Sequence, residues 1–212
     1  MKKGIFITFE GNDGSGKTTI STMIFNELQK QKYPVVYTRE PGGIEIAEQI
    51  RNLILNPEYT NMDARTEALL YAASRRQHLV EKILPALEEG KIVLCDRFID
   101  SSLVYQGEGR GIGIDEVYRM NEFAIQGHMP HKTIFLSIPV EEGLKRVQTR
   151  GAQDRLDKES LTFHQAVAKG YEIINEQNKE RIHYVDATQS IEDVFKDTLH
   201  IIEEFINEYN NI

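Results

Sequence analysis

"ITFEGNDGSGKTT", residues 7–19, decides the fold. An apolar run ends in a glycine-rich turn, and a lysine and two threonines then open a segment with helical spacing. Gly11, Gly16, Lys17 and Thr18 complete the pattern GxxxxGK[ST]. Glycines let backbone N–H groups turn inward around phosphate oxygens, and the positive end of the next helix faces the same anion. Gly11, Asn12, Asp13, Gly14, Ser15, Gly16, Lys17, Thr18 and Thr19 are therefore candidates to hold a nucleoside triphosphate. Lys17 is placed to reach the β- and γ-phosphates, and the Thr18 hydroxyl to hold Mg²⁺. Asp13 is out of character in such a cradle. Two like charges about 4 Å apart repel by roughly 4 kcal/mol at an effective dielectric of ~20, so its carboxylate needs a position away from the phosphates or a task of its own.

The rest of the chain supports a doubly wound α/β sheet. Apolar strands are predicted at 4–9, 34–38, 91–95, 132–138 and 181–187. Helices are predicted at 17–31, 45–55, 64–88, 115–127, 140–150, 159–180 and about 190–208. Strands alternating with helices imply a parallel sheet with helices on both faces and ligands beyond the carboxyl ends of the strands. The 212 residues suit one domain. "IVLCD" (92–96) has the form of a Walker B strand, making Asp96 a second Mg²⁺-orienting group.

Composition excludes several partners. A net charge of −8 argues against broad nucleic-acid or anionic-membrane binding, although a local cationic site is compatible with it. No apolar run is long enough to span a bilayer, and Glu10 ends the N-terminal one too early for a signal peptide. The single cysteine, Cys95, fits a reducing compartment, and the six histidines show no metal-ligand spacing.

Among P-loop proteins, a GTPase needs an NKxD motif, and the nearest string, "NKER" (178–181), lacks the acid. The arginines point to a second anion. Arg39 and Arg97 follow strands, with Arg51, Arg75, Arg110, Arg146, Arg150 and Arg155 elsewhere. Guanidinium forks suit a reaction that brings two phosphates together. The acceptor needs no general base, because a phosphate monoester is largely a dianion at neutral pH. A nucleoside kinase and a non-catalytic nucleotide-binding protein remain alternatives at this level. The first would need a base to activate a hydroxyl. The second would need no arginine-bearing closing segment.

"FEGNDGSGKTT", "TREPGG", "RTEALLYAASRRQH", "CDRFIDSSLVYQG" and "RLD", in this order, resemble bacterial thymidylate kinases across nearly the whole chain. The resemblance implies a five-stranded parallel sheet, transfer of phosphoryl from ATP to dTMP with Mg²⁺, a cytoplasmic homodimer, and a LID at about 149–157. It implies that Asp13 bonds the sugar 3′-hydroxyl, which would answer the question that residue poses. Arg97 would grip the acceptor phosphate with Arg39 and Arg51, and Glu40 would order water or metal there. Tyr71, where the family pattern has Phe, would stack on thymine. Arg75 would read its O4 edge, and Ser102 and Gln106 would flank it, Gln106 matching the N3–H and a carbonyl. Tyr105 would exclude a ribose 2′-hydroxyl. With Gly14 and Ser15 in the loop, the catalytic arginine would come from the LID, as Arg155 in preference to Arg150. Arg146 would stack on adenine. The role of Arg110 is open.

Overall fold

The computed structural model describes residues 4–149 and 154–210. Five strands form one wholly parallel sheet: β1 (Ile5–Glu10), β2 (Val35–Arg39), β3 (Ile92–Asp96), β4 (Lys132–Ser137) and β5 (Ile182–Asp186), in the order β2-β3-β1-β4-β5. Every residue of β1 and β3 is buried, as expected of continuous apolar runs covered on both faces. Along β1 the side chains alternate. Ile5, Ile7 and Phe9 join Ile20, Ile24 and Leu28 of α1 (Lys17–Lys30) and Ile202 and Ile206 of α9 (Ile191–Asn210), while Phe6 enters the core on the opposite face.

That opposite face carries α2 (Glu45–Leu55), α3 (Ala64–His78), α6 (Ile114–Ile125) and α8 (Leu161–Gln177). Asp63 caps α3 by accepting from the Thr66 N–H at 2.9 Å, and Ser160 caps α8 through Phe163 N–H at 3.2 Å. α7 (Val140–Thr149) follows β4. The chain crosses from one side of β1 to the other between β3 and β4, and crevices open above the strand ends at such a reversal.

The predicted strands and main helices are present, with two differences. The helix expected at 64–88 is α3, a wider π-type turn at Leu79–Ile83, and α4 (Leu84–Glu88). The segment after β3, where no helix is predicted, is a short helix, α5 (Ile99–Ser102), continued by a π-type stretch at Leu103–Gly109. That stretch sets Tyr105 and Gln106 against α3 and α8.

Candidate active site

The phosphate loop lies between β1 and α1. Gly16, at the start of α1, has φ 87° and ψ 13°, a left-handed conformation that glycine takes without penalty. Gly14 also has positive φ, and a Cβ there would lie 2.1 Å from the Gly143 carbonyl oxygen of α7. The loop and α7 thus meet backbone to backbone. Lys17 Nζ donates to the carbonyls of Gly11 (2.9 Å) and Asn12 (2.8 Å) and to Ser15 Oγ (3.3 Å). Burial and the nearby Arg97 push its pKa down to about 8. Thr18 Oγ1 donates to Asp96 Oδ2 at 2.5 Å.

Asp13 points away from this cradle. Its Oδ1 accepts from Arg97 Nη2 at 2.5 Å and its Oδ2 from the Tyr105 hydroxyl at 2.8 Å, and the His164 imidazole lies 3.8 Å from Oδ2. Burial pushes the carboxyl up, but Arg97, Lys17 and the Tyr105 hydrogen bond outweigh it and hold it below the usual carboxylate range. Asp13 is therefore an anion with a cation beside it, which removes the objection raised by the sequence. Arg97 carries the strain of this corner, at φ 69°. Its guanidinium also reaches Ser101 Oγ (3.1 Å) and lies 5.0 Å from the centre of the Tyr105 ring.

One stripe of α3 builds the far end. Glu67, Tyr71, Arg75 and His78 are spaced four, four and three apart, so they share a face, and all are buried. Arg75 Nε donates to Glu40 Oε2 (2.8 Å), Nη1 to Ser102 Oγ (3.1 Å) and Asn121 Oδ1 (2.5 Å), and Nη2 to the Phe98 carbonyl (2.9 Å). Arginine has five N–H groups, and four are taken. Among the described residues one N–H on Nη2 is left over. His78 bridges Glu40 Oε1 (3.0 Å) and Thr38 Oγ1 (2.6 Å). Gln106 Nε2 donates to Glu67 Oε1 at 2.9 Å.

These parts line two cavities that share a wall. One lies over Gly14, Gly16, Lys17, Thr18 and Asp96. The other is enclosed by Tyr71, Arg75, Ser102, Tyr105 and Gln106. Asp13, Glu40, Arg51, Arg97, Asp154 and Asp157 line both. Lys17 and Arg97 face a common space, so two phosphorylated ligands can meet end to end there. A family model described as thymidylate kinase matches residues 9–198. The chain belongs to the thymidylate kinase family. It is 59% identical over 207 residues to the thymidylate kinase of Bacillus licheniformis, covering 97% of this chain and 98% of that one. It is 56% identical over 203 residues to that of Bacillus pumilus, covering 95% and 96%. The crystal structure of thymidylate kinase from Ehrlichia chaffeensis superposes with a TM-score of 0.77 at 33% identity, over 95% of this chain and 99% of that one.

As in this family, the chain is an enzyme that uses ATP to phosphorylate dTMP to dTDP. The structure gathers Asp13, Glu40, Arg51, Tyr71, Arg75, Arg97, Ser102, Tyr105 and Gln106 around the second cavity. Arg39 does not line it. Arg39 faces the phosphate cavity, braced by Glu48 Oε1 (2.8 Å) and the Pro41 carbonyl (2.9 Å), while Arg51 donates to that same carbonyl (3.0 Å) and lines both. Glu40, expected to order water or metal, has both carboxylate oxygens engaged by Arg75 and His78. Arg146 lines the phosphate cavity, tied to Glu142 (2.6 Å) and the Ala187 carbonyl (3.4 Å).

Arg155 is the main departure. Expected to be the catalytic arginine, it is 7% exposed and lines neither cavity. Nε donates to the Ile54 carbonyl (2.9 Å) and Nη2 to Glu67 Oε2 (2.5 Å). A buried guanidinium matched to a buried carboxylate is held by the fold. Arg150, the other LID candidate, lies outside the described residues, as do positions 151–153. Glu67, His78, Asn121 and His164 were not anticipated. The α3 stripe, extended one turn either way from Tyr71 and Arg75, would have found the first two.

Thr18 and Asp96 offer two adjacent oxygen ligands of the kind a hard cation takes. Among the described residues no cluster of three His, Cys, Asp or Glu could hold a metal unaided. That donor set fits Mg²⁺ held mainly by triphosphate oxygens and water.

Proposed function

We propose that the γ-phosphoryl group of ATP passes to the 5′-phosphate of dTMP across the wall formed by Arg97 and Asp13. The observation that carries this is the shared lining of the two cavities. Loop N–H groups and Lys17 hold the ATP phosphates, and Arg146 lies alongside. Mg²⁺ on those phosphates, resting on Thr18 and Asp96, would neutralise charge. Arg97 and Arg51 hold the acceptor phosphate, with Arg39 braced at the junction. Asp13, ionised and acceptor-only, takes a hydrogen bond from the sugar 3′-hydroxyl. Tyr71 stacks on the base, the spare Arg75 N–H meets a base carbonyl, and Gln106 meets the N3 edge beside Ser102. Tyr105 fills the space a 2′-hydroxyl would need. Phosphoryl transfer then rests on positioning and electrostatic stabilisation, with no general base.

With Arg155 engaged by Glu67, the LID arginine at the transferring phosphate is Arg150. One domain of 212 residues with a LID at about 149–157 accommodates these roles. A cytoplasmic homodimer is the assembly and setting we favour. Exposed Ile46 and Leu53 on α2, Leu69 on α3 and Phe123 on α6 lie on adjoining helices and support an apolar contact surface. The single cysteine is free and buried, which suits a reducing compartment. Among the described residues no helix is long and apolar enough to cross a membrane.

A coupled ADP-release assay across nucleoside monophosphates tests the reading. dTMP should be turned over well ahead of dCMP and dGMP. Equal turnover of dCMP would remove Arg75 and Gln106 from base recognition.

A further inference from the structure

Glu67 is a carboxylate with no exposed surface, deep beside a nucleotide cavity. Its Oε1 accepts from Gln106 Nε2 (2.9 Å) and Arg110 Nε (3.3 Å), and its Oε2 from Arg110 Nε (3.1 Å) and Arg155 Nη2 (2.5 Å). Burial pushes the group up, but the hydrogen bonds from Arg110, Gln106 and Arg155 outweigh it and hold the carboxyl below its usual range. An ionised carboxylate cannot donate. An amide beside it can satisfy it only through its NH₂ end. Glu67 thereby settles a choice that a glutamine otherwise leaves open, namely which end of the amide faces the ligand.

We propose that Glu67 is a specificity-determining positioning residue: it captures the NH₂ of Gln106 and leaves Oε1 as the hydrogen-bond acceptor at the base edge. The inference rests on the reading above that Gln106 meets the N3 edge. Oε1 has no partner among the described residues, and Gln106 lines the base end of the cavity with Tyr71 and Arg75. A 4-keto pyrimidine carries N3–H, a donor that matches this oxygen. A 4-amino pyrimidine presents an N3 lone pair, which would face it without a proton between them. Arg110 and Arg155 are the counter-cations that keep Glu67 ionised and therefore acceptor-only. Arg155, which comes from the LID, serves base choice through this carboxylate.

Glu67→Gln keeps the shape and removes the charge. Its amide can accept or donate, so Gln106 becomes free to reverse. The expected result is a fall of about tenfold in the dTMP to dCMP ratio of kcat/KM, the worth of roughly one hydrogen bond, with the KM for ATP unchanged. A loss of activity equal for both monophosphates, with the ratio intact, would overturn the proposal and leave Glu67 a packing residue. Gln106→Met separates this from the reading beneath it. If that variant leaves the ratio untouched, Gln106 does not read the base. If it collapses the ratio while Glu67→Gln does not, only the role of Glu67 fails. Should Glu67→Gln not fold, the wild-type chain decides. The side-chain NH₂ signals of Gln106, assigned by their loss in Gln106→Met, should exchange slowly with solvent in the ligand-free protein. Fast exchange of both protons would place the NH₂ in the cavity and overturn the orientation.

Discussion

Replacing Gly14 by alanine should damage the enzyme in a way that Gly16→Ala does not, and the two together measure the seam between the phosphate loop and α7. Both glycines have positive φ, 79° and 87°. A Cβ in the left-handed region costs roughly 1–2 kcal/mol in either place. Around Gly16 nothing lies within 4 Å of the added carbon. At Gly14 it would sit 2.1, 2.7 and 2.8 Å from the carbonyl oxygen, carbonyl carbon and Cα of Gly143. All three are backbone atoms, so no side chain can swing aside, and α7 must move. Such overpacking costs about 1–3 kcal/mol more. At ~2–4 °C per kcal/mol for a chain of this size, Gly16→Ala should lower Tm by about 2–8 °C and Gly14→Ala by about 4–20 °C. Differential scanning calorimetry without nucleotide reads the difference. Steady-state kinetics should show a raised KM for ATP in both, in Gly14→Ala because α7 carries Arg146, and in Gly16→Ala because the methyl group enters the phosphate cavity. Equal melting temperatures for the two variants would refute the reasoning.

Three further outcomes are expected. Lys17, brought down to about 8 in the empty site, is about three-quarters neutral at pH 8.5, and bound triphosphate restores its charge; calorimetry in buffers of differing ionisation enthalpy should detect proton uptake on ATP binding, with affinity falling as pH rises through 8, and a pH-independent affinity between 7 and 9 would contradict it. Arg150→Ala should lower kcat by roughly 10³-fold or more, whereas Arg155→Ala should cost about 3 kcal/mol of stability with a smaller loss of kcat; the reverse order would return Arg155 to the phosphates. Tyr105→Ala should narrow the gap between dUMP and UMP, while Tyr105→Phe, which keeps the ring and loses only the bond to Asp13, should preserve it; a gap unchanged in the alanine variant would discard the steric role.

The sheet was legible because each strand is a short apolar run and the phosphate loop sits between a strand and a helix. The acceptor cavity was legible mainly as side chains attached to recognisable motifs. What the sequence concealed was how those side chains satisfy one another. The stretch from Leu103 to Gly109 includes two glycines and lacks a plain 3.6-residue pattern, so its wide helical turns do not show. Glu67 shares the α3 stripe of Tyr71 and Arg75, but its partners Gln106, Arg110 and Arg155 come from distant segments, so its role as a buried hub does not show in the sequence. The partners of Arg155 were hidden for the same reason. Its place in the LID suggested the phosphates, while a buried carboxylate 88 residues earlier, invisible to local pattern, holds it.

The ammonium of Lys17 folds onto two carbonyls and a hydroxyl of its own turn. An entering anion must outbid those three acceptors. Orthophosphate or sulfate brings one compact group to that contest and leaves most of the crevice unfilled. A triphosphate extends along it to the threonine hydroxyl and the guanidinium wall, and gains at several points at once. Those three internal acceptors set the least that a ligand must offer this lysine, and a chain of phosphates has the reach to offer more.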